Sequence, residues 1–385
     1  MNQDWQNFLA AQGAQIQDGT VQHFGNAAAE RAATRDGTVL CDLSQFGVLK
    51  VTGEEALGFL HNLFSSDVNA LTPQQALPSS FNTAKGRALA TLLIWRNPAE
   101  LFLQLPRSLV APIQKKLSMY VLRAKVKIED ASDNIVCFGL SGADAATLLQ
   151  KHYSALPQNV LDVVHQGDTS LIRLAADRFQ INIPAQQASA VWQKLSAGAR
   201  PVGSPCWDWL NIHAGIPVIL PQTQEQFVPQ MANLDLIGAV NFKKGCYPGQ
   251  EIVARMQYLG KNKRRMYLAH IYAETAPQAG NELFSMEMEG QACGMVVNAQ
   301  ASPNGGYDML AVVQIASHDA FPVHLGALTG PRLEFNPLPY PLPWTCRPNF
   351  SVATCCGWPT DSLLTFCTVQ QSGHRGGKYW ITPSW

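Results

Sequence analysis

Residues 243–251 of this 385-residue chain, Lys243-Lys244-Gly245-Cys246-Tyr247-Pro248-Gly249-Gln250-Glu251, bring a thiol, two ammonium groups and a turn together. Pro248-Gly249 is turn chemistry, and residues 250–258 have the composition of a helix with Ile252, Val253 and Met256 as its apolar stripe. Cys246 then sits just ahead of a helix N-terminus. Free backbone N–H groups there, with Lys243, Lys244 and Arg255 nearby, favour a thiolate, which can react, pass electrons or ligate a soft metal. A cysteine that merely fills a tight turn between glycines accounts for the same residues equally well. Downstream, Lys261, Lys263, Arg264 and Arg265 place four cations in a five-residue span beside Tyr267. That run could meet an anionic ligand tail or tRNA, or be a solvated linker; nothing in it reads bases.

Other chemistry is missing. The nine cysteines are scattered, with no C-x-x-C pair, and Cys41, Cys137, Cys206, Cys246 and Cys293 are too dispersed for an iron–sulfur ligand set. No disulfide framework or resident metal site is expected. His61 falls on a helix, His213 precedes Ala214-Gly215, and His318 and His324 fall in late loops, so no H-e-x-x-h type metal helix forms. The 28 basic and 28 acidic residues cancel, which removes any global attraction to nucleic acid or anionic lipid. No apolar run approaches the roughly 18–20 residues of a membrane helix. The first residues lack the pattern of a secretory signal, so a cytoplasmic protein is expected, and nothing requires more than a monomer.

These residues need elements to hold them, and the length favours two or three domains. Trp5, Phe8 and Leu9 at helical spacing behind Asp4 predict a helix within a helical lead over residues 1–37. Residues 38–43 and 47–52 are strand-like. The turn at Gly53 feeds a helix with Ala56, Phe59, Leu60, Leu63 and Phe64 on one face. A hairpin around Asn97-Pro98 and a helix over 108–120 follow. The corner recurs 89 positions on (142 − 53), where Leu140-Ser141-Gly142-Ala143-Asp144-Ala145 echoes Val51-Thr52-Gly53-Glu54-Glu55-Ala56. A duplicated α+β unit is predicted near 38–125 and 126–200. Residues 198–205 read as a linker and 207–213 as a helix. Short strands over 266–272, 291–299, 309–315 and 332–335 predict a small β-barrel at 261–343. Residues 344–385, rich in Cys and Trp, fit no period and are expected to be a disordered extension.

Lys244-Gly245-Cys246-Tyr247-Pro248-Gly249-Gln250-Glu251 resembles the K-G-C-Y-x-G-Q-E signature of the YgfZ family of folate-binding proteins, relatives of the glycine-cleavage aminomethyltransferase. Residues 207–219, with Gly215-Ile216-Pro217, resemble the family's W-x-x-x-x-I-x-A-G-x-P-x-I segment. Phe227-Val228-Pro229-Gln230 to Asn233-Leu234 resembles F-I-P-Q-x-x-N-L, and Pro337-Leu338-Pro339-Tyr340 its usual end. The resemblance implies an α+β, aminomethyltransferase-like folate-binding region of duplicated ferredoxin-like units over 38–260, then the small C-terminal β-barrel. It implies tetrahydrofolate, or another reduced folate, as the ligand, with Phe46 and Trp207 against it, Phe46 standing where a tryptophan is expected. It also makes Cys246 the functional thiol. Lys244, Tyr247, Gln250, Glu251 and Arg255 are candidates to bind folate or brace the loop, and Lys261, Lys263, Arg264 and Arg265 to meet its glutamate tail.

Aminomethyltransferases carry an Asp-Asp pair where this chain has Ala90-Thr91. Without those carboxylates, glycine-cleavage chemistry loses its acid–base group. The resemblance therefore implies a folate-binding accessory role in iron–sulfur cluster assembly or repair. Its partners would be client enzymes met transiently, among them a tRNA-methylthiolating enzyme. A folate-dependent aminomethyltransferase or demethylase, and a folate-sensing module without chemistry, are the alternatives.

Overall fold

The computed structural model describes residues 1–260 and 262–343. The expectations for Lys261 and for residues 344–385 lie outside them. Residues 1–340 form one compact unit, and the second unit begins at Pro341.

The lead holds helix α1 (Gln3–Ala11), a hairpin of β1 (Gln15–Gln17) and β2 (Thr20–His23), and helix α2 (Ala27–Asp36). Asn2, not Asp4, caps α1, its side-chain oxygen accepting the Trp5 N–H at 3.1 Å. Trp5 is buried against Phe138 and Trp192 and donates its indole N–H to Asp42 at 2.8 Å. The lead is therefore part of a core formed with residues more than a hundred positions away.

After β3 (Val39–Asp42) the duplication is plain. The first copy runs β4 (Phe46–Thr52), α3 (Ala56–His61), β5 (Leu77–Asn82), β6 (Ala88–Arg96), β7 (Leu101–Pro106), α4 (Arg107–Val121) and β8 (Lys127–Asp130). The second runs β9 (Ile135–Ser141), α5 (Ala145–Gln150), β10 (Val163–Gln166), β11 (Thr169–Ala175), β12 (Arg178–Pro184), α6 (Ala185–Ser196) and β13 (Arg200–Val202). Their sheets have the orders β5-β6-β7-β4-β8 and β10-β11-β12-β9-β3-β13. Each copy turns its strand–helix corner on a glycine, Gly53 at φ +118° and Gly142 at φ +130°. A Cβ there would lie 1.9 Å from the Lys125 carbonyl oxygen or 2.4 Å from that of Gly37, so only glycine fits. Each copy also launches its long helix from a proline, Pro106 or Pro184, whose missing N–H costs nothing at a helix start. One difference separates the sheets. β3 inserts between β9 and β13 and pairs with β13 in parallel, so the stretch expected to be a linker is an edge strand.

Strand alternation sorts the side chains onto two faces. Leu49, Val51, Ile94 and Leu103 face α3 and α4 in one core. Phe138, Leu140, Phe179 and Ile181 face Trp5 and Trp192 in another. The opposite faces meet in a third cluster, where Val48, Trp95 and Phe102 pack with Cys137, Ile172 and Trp207.

Trp207 lies on α7 (Ser204–His213), and α8 (Gln250–Tyr258) follows the irregular stretch that carries the thiol loop. The last sheet is built from β14 (Arg264–Ile271), β15 (Glu282–Phe284), β16 (Ala292–Ala301) and β17 (Tyr307–Gln314). Helix α9 (Ile315–Ala320) precedes β18 (His324–Leu325) and β19 (Glu334–Asn336). Its order is β18-β15-β16-β17-β14-β19, antiparallel throughout. Leu333 N–H donates to the Val323 carbonyl at 2.9 Å, drawing the two edges together, so the expected barrel is a curled half-barrel. Met266, Leu268, Leu310 and Val312 close its core against Phe227, Leu234 and Ala88 of β6. Asp308 also fastens it to α7, accepting from Trp209 at 2.7 Å and contacting His213 at 2.9 Å and His270 at 2.6 Å. Burial opposes ionisation of Asp308, but those hydrogen bonds outweigh it and hold the carboxyl well below its ordinary range.

Candidate functional site

Residues 241–249 are fastened to the first copy. Asn241 N–H donates to the Ser65 carbonyl at 2.8 Å, and its side-chain oxygen accepts Lys243 N–H at 2.7 Å. Lys244 is buried and donates from Nζ to two carbonyls at the end of α3, those of His61 and of Phe64 at 2.7 Å. It thereby satisfies oxygens that a helix end leaves without partners. The same ammonium stands 4.8 Å from the centre of the Tyr247 ring. Burial is the main cause pulling Lys244 down to about 8, and it pushes the Tyr247 hydroxyl up to about 12. Gln250 starts α8 and donates to the Lys244 carbonyl at 3.4 Å.

With Lys244 and Tyr247 drawn inward, Cys246 is turned out. Among the described residues it is the exposed cysteine; Cys41, Cys137, Cys206 and Cys293 are buried. Burial pushes the thiols of Cys206 and Cys293 up to about 11 and also raises those of Cys41 and Cys137 well above the ordinary thiol value, so none of these is a nucleophile near neutral pH.

Beside this loop lies a cleft of about 430 Å3. Its lining includes Ser66, Asp67, Gln75, Ala76, Asn241 and Lys243. Ala76, buried at its edge, also belongs to the cluster between the two sheets that includes Trp207. Ser66 is buried and its hydroxyl has no partner.

The expected folate contacts lie in that interior. Phe46 is partly buried against it, and Trp207 is 2% exposed. The Arg178 guanidinium covers the Trp207 ring at 3.9 Å, and a Cβ on residue 139 would stand 2.3 Å from the ring, which explains Gly139. Trp207 is thus a wall of the interior, not an open stacking platform. Around it stand polar groups the sequence reading missed. Arg178, Gln180 and Asn182 occupy alternate positions of β12, on the face opposite Phe179, Ile181 and Ile183. Arg178 donates to Asn211 at 2.7 Å, and Gln45 donates to Asp208 at 3.2 Å. Burial pushes Asp208 up to about 6 and Arg178 down to about 9. Arg178 Nε, Asn182 Nδ2, Gln104 Nε2 and Gln45 Oε1 are buried without hydrogen-bond partners. The polar alternation Arg-x-Gln-x-Asn in an otherwise apolar strand was the available signal.

Other expectations fare differently. Glu251 and Arg255 are exposed, and neither lines the cleft. Ile252 touches the turn at Gly86 yet is 37% exposed, leaving Val253 as the buried residue of α8. The basic run does not act as one patch: Arg265 turns inward and grips Asp235 with two hydrogen bonds of 2.6 and 2.9 Å. Lys263 is exposed and Arg264 half-buried. Thr91, in the place of an acid, accepts the Ile219 N–H at 3.1 Å and has a structural task.

The family model described as the GCVT N-terminal domain matches residues 7–244. The chain is 38% identical over 234 residues to the tRNA-modifying protein YgfZ of Colwellia psychrerythraea, covering 60% of this chain and 71% of that one. It is 32% identical over 316 residues to the tRNA-modifying protein YgfZ of Escherichia coli O127:H6, covering 81% and 96%. The crystal structure of glycine cleavage system aminomethyltransferase T from Bartonella henselae matches with a TM-score of 0.72, over 86% of this chain and 96% of that one. At 20% identity that likeness is one of fold. Together these define an α+β protein of the aminomethyltransferase fold. Within it, the chain belongs to the YgfZ family of tRNA-modifying proteins.

No helix among the described residues is long and apolar enough to cross a membrane.

Proposed function

We propose that this protein binds tetrahydrofolate or another reduced folate and serves iron–sulfur cluster assembly or repair, its clients including tRNA-methylthiolating enzymes, with Cys246 as the working thiol. The observation that carries the reading is the build of the thiol loop. Two buried side chains, Lys244 and Tyr247, leave Cys246 exposed on a loop whose Lys243 lines the 430 Å3 cleft. A cysteine kept only for packing would be the buried residue and its neighbours the exposed ones.

The folate assignment rests on fit. A pterin presents donors and acceptors in one plane, and buried polar groups without partners are costly unless a ligand completes them. The unpartnered atoms of Arg178, Asn182, Gln104 and Gln45 supply both kinds in the interior that holds Trp207 and Phe46. Bound there, a reduced folate would offer one-carbon or redox chemistry. The chain's own residues would orient the heterocycle and shield it from water, while Lys244 and Tyr247 hold the thiol loop. Lys243, with Lys263 and Arg264 as the accessible members of the basic run among the described residues, would meet the glutamate tail or a tRNA-bearing partner. Methylene transfer as in glycine cleavage is not proposed, since Ala90 and Thr91 offer no carboxylate. The relatives' name, tRNA-modifying protein, supports the link to tRNA.

Calorimetry with tetrahydrofolate on the full chain in reducing buffer tests the ligand. Micromolar binding that Arg178→Met weakens at least tenfold is expected; no binding by the folded protein removes the folate reading. Cys246→Ser should abolish tRNA methylthiolation in cells while leaving folate affinity unchanged, and normal methylthiolation would remove the thiol.

A further inference from the structure

Helix α3 ends at His61, a residue unused so far that lies directly under the thiol loop. Its carbonyl accepts from Lys244, and its side chain is 12% exposed. The two ring nitrogens face different groups. Nδ1 stands 3.1 Å from Asp67 Oδ1, off the axis of a well-aligned hydrogen bond, and Nε2 points at the loop, 3.6 Å from where a Cβ on Gly245 would stand. The next residue is Cys246. A ring whose N–H faces a carboxylate presents its other nitrogen as an acceptor. Asp67 in turn lines the cleft beside Ser66, whose buried hydroxyl lacks a partner there. Cleft, carboxylate, imidazole and thiol loop thus follow one another through space, although residues 61 and 246 are far apart in the chain.

We propose that His61, oriented by Asp67, is the proton acceptor for the Cys246 thiol, making its thiolate available to a ligand in the cleft. This rests on the reading of Cys246 as a working thiol. In the step, the S–H bond of Cys246 breaks, an N–H bond forms at His61 Nε2, and sulfur keeps the electron pair; Asp67 stabilises the resulting imidazolium. The charged groups facing His61 are Asp67 from the segment after α3 and Lys244 from the loop. Lys244 cannot take the proton itself, because as an ammonium it has no lone pair and only donates, to the His61 and Phe64 carbonyls. Burial first, and Lys244 second, lower the basicity of His61, so the ring is neutral and able to accept near pH 7.

The test is alkylation of the full chain by iodoacetamide from pH 5 to 10, read by mass spectrometry on the peptide that contains Cys246. His61→Gln should slow alkylation about tenfold at pH 7 and leave the rate at pH 10 unchanged, moving the profile upward by about one pH unit. Asp67→Asn should shift it in the same direction by less, and it carries the test alone if His61→Gln does not fold. Superposable profiles overturn the pairing. A shifted profile in cells that methylthiolate tRNA normally without Cys246 would keep the pairing and remove the thiol's proposed task. An unshifted profile with an essential Cys246 would do the reverse.

Discussion

Helices α3 and α5 leave matching glycine corners and end in different company. Adding the repeat offset of 89 places Gln150 where the first copy has His61 and Tyr153 where it has Phe64. Gln150 and the following Lys151 are exposed. At the end of α3, by contrast, Lys244 fills two carbonyls and His61 faces both Asp67 and the thiol loop. The second copy differs on another face, where β12 turns Arg178, Gln180 and Asn182 into the interior between the sheets. The shared parts of the repeat make the scaffold, and the candidate site lies where the copies diverge. Duplication supplies two stable frames; chemistry needs only one face of each.

The corners should be equivalent. Gly53→Ala and Gly142→Ala each force a left-handed backbone and a clash with a carbonyl, so each should cost about 3 kcal/mol or more in urea denaturation. A corner that tolerates alanine would break the equivalence. The helix ends should not be equivalent. Lys244→Met leaves two carbonyls without their donor and should cost about 2 kcal/mol.

The polar interior of the second copy should show its own signature in pH. Burial raises Asp208 to about 6, so between about pH 4 and 6 the native state binds more protons than the unfolded chain. Stability from this group is therefore lost as pH rises through that window, and the penalty is complete above about 6. Asp208→Asn should stabilise the protein by about 1–2 kcal/mol at pH 7.5 and have no effect near pH 4, measured as urea midpoints. An equal effect at both pH values would remove the view that this carboxylate is held there at a cost to stability. The smallest change belongs to the plain helix end: Lys151→Met should stay within about 0.5 kcal/mol.

Much of the scaffold was legible because it depends on neighbours in the chain. Gly53 and Gly142 marked the repeat since only glycine takes their φ, and α8 spans the residues its composition predicted. The strands of the half-barrel were visible between their turns. The β13 edge was read as linker, because a three-residue strand acquires meaning only from its distant partner β3. The site was half legible. The Cys246 loop declared itself by type and spacing, whereas nothing local said that Arg265 would turn inward to Asp235 or that Trp207 would be walled in by Arg178.

From the sequence alone came the family, the α+β class, the duplicated corner and the candidate thiol, all carried by turn chemistry, periodicity and one dense motif. Tertiary structure alone decided that Lys244 is a brace and Cys246 the exposed group, and that His61 and Asp67 lie against the same loop. Those assignments depend on which face of an element meets which neighbour across some 180 positions of chain. Packing sets that choice, and packing is a property of the whole core rather than of any segment.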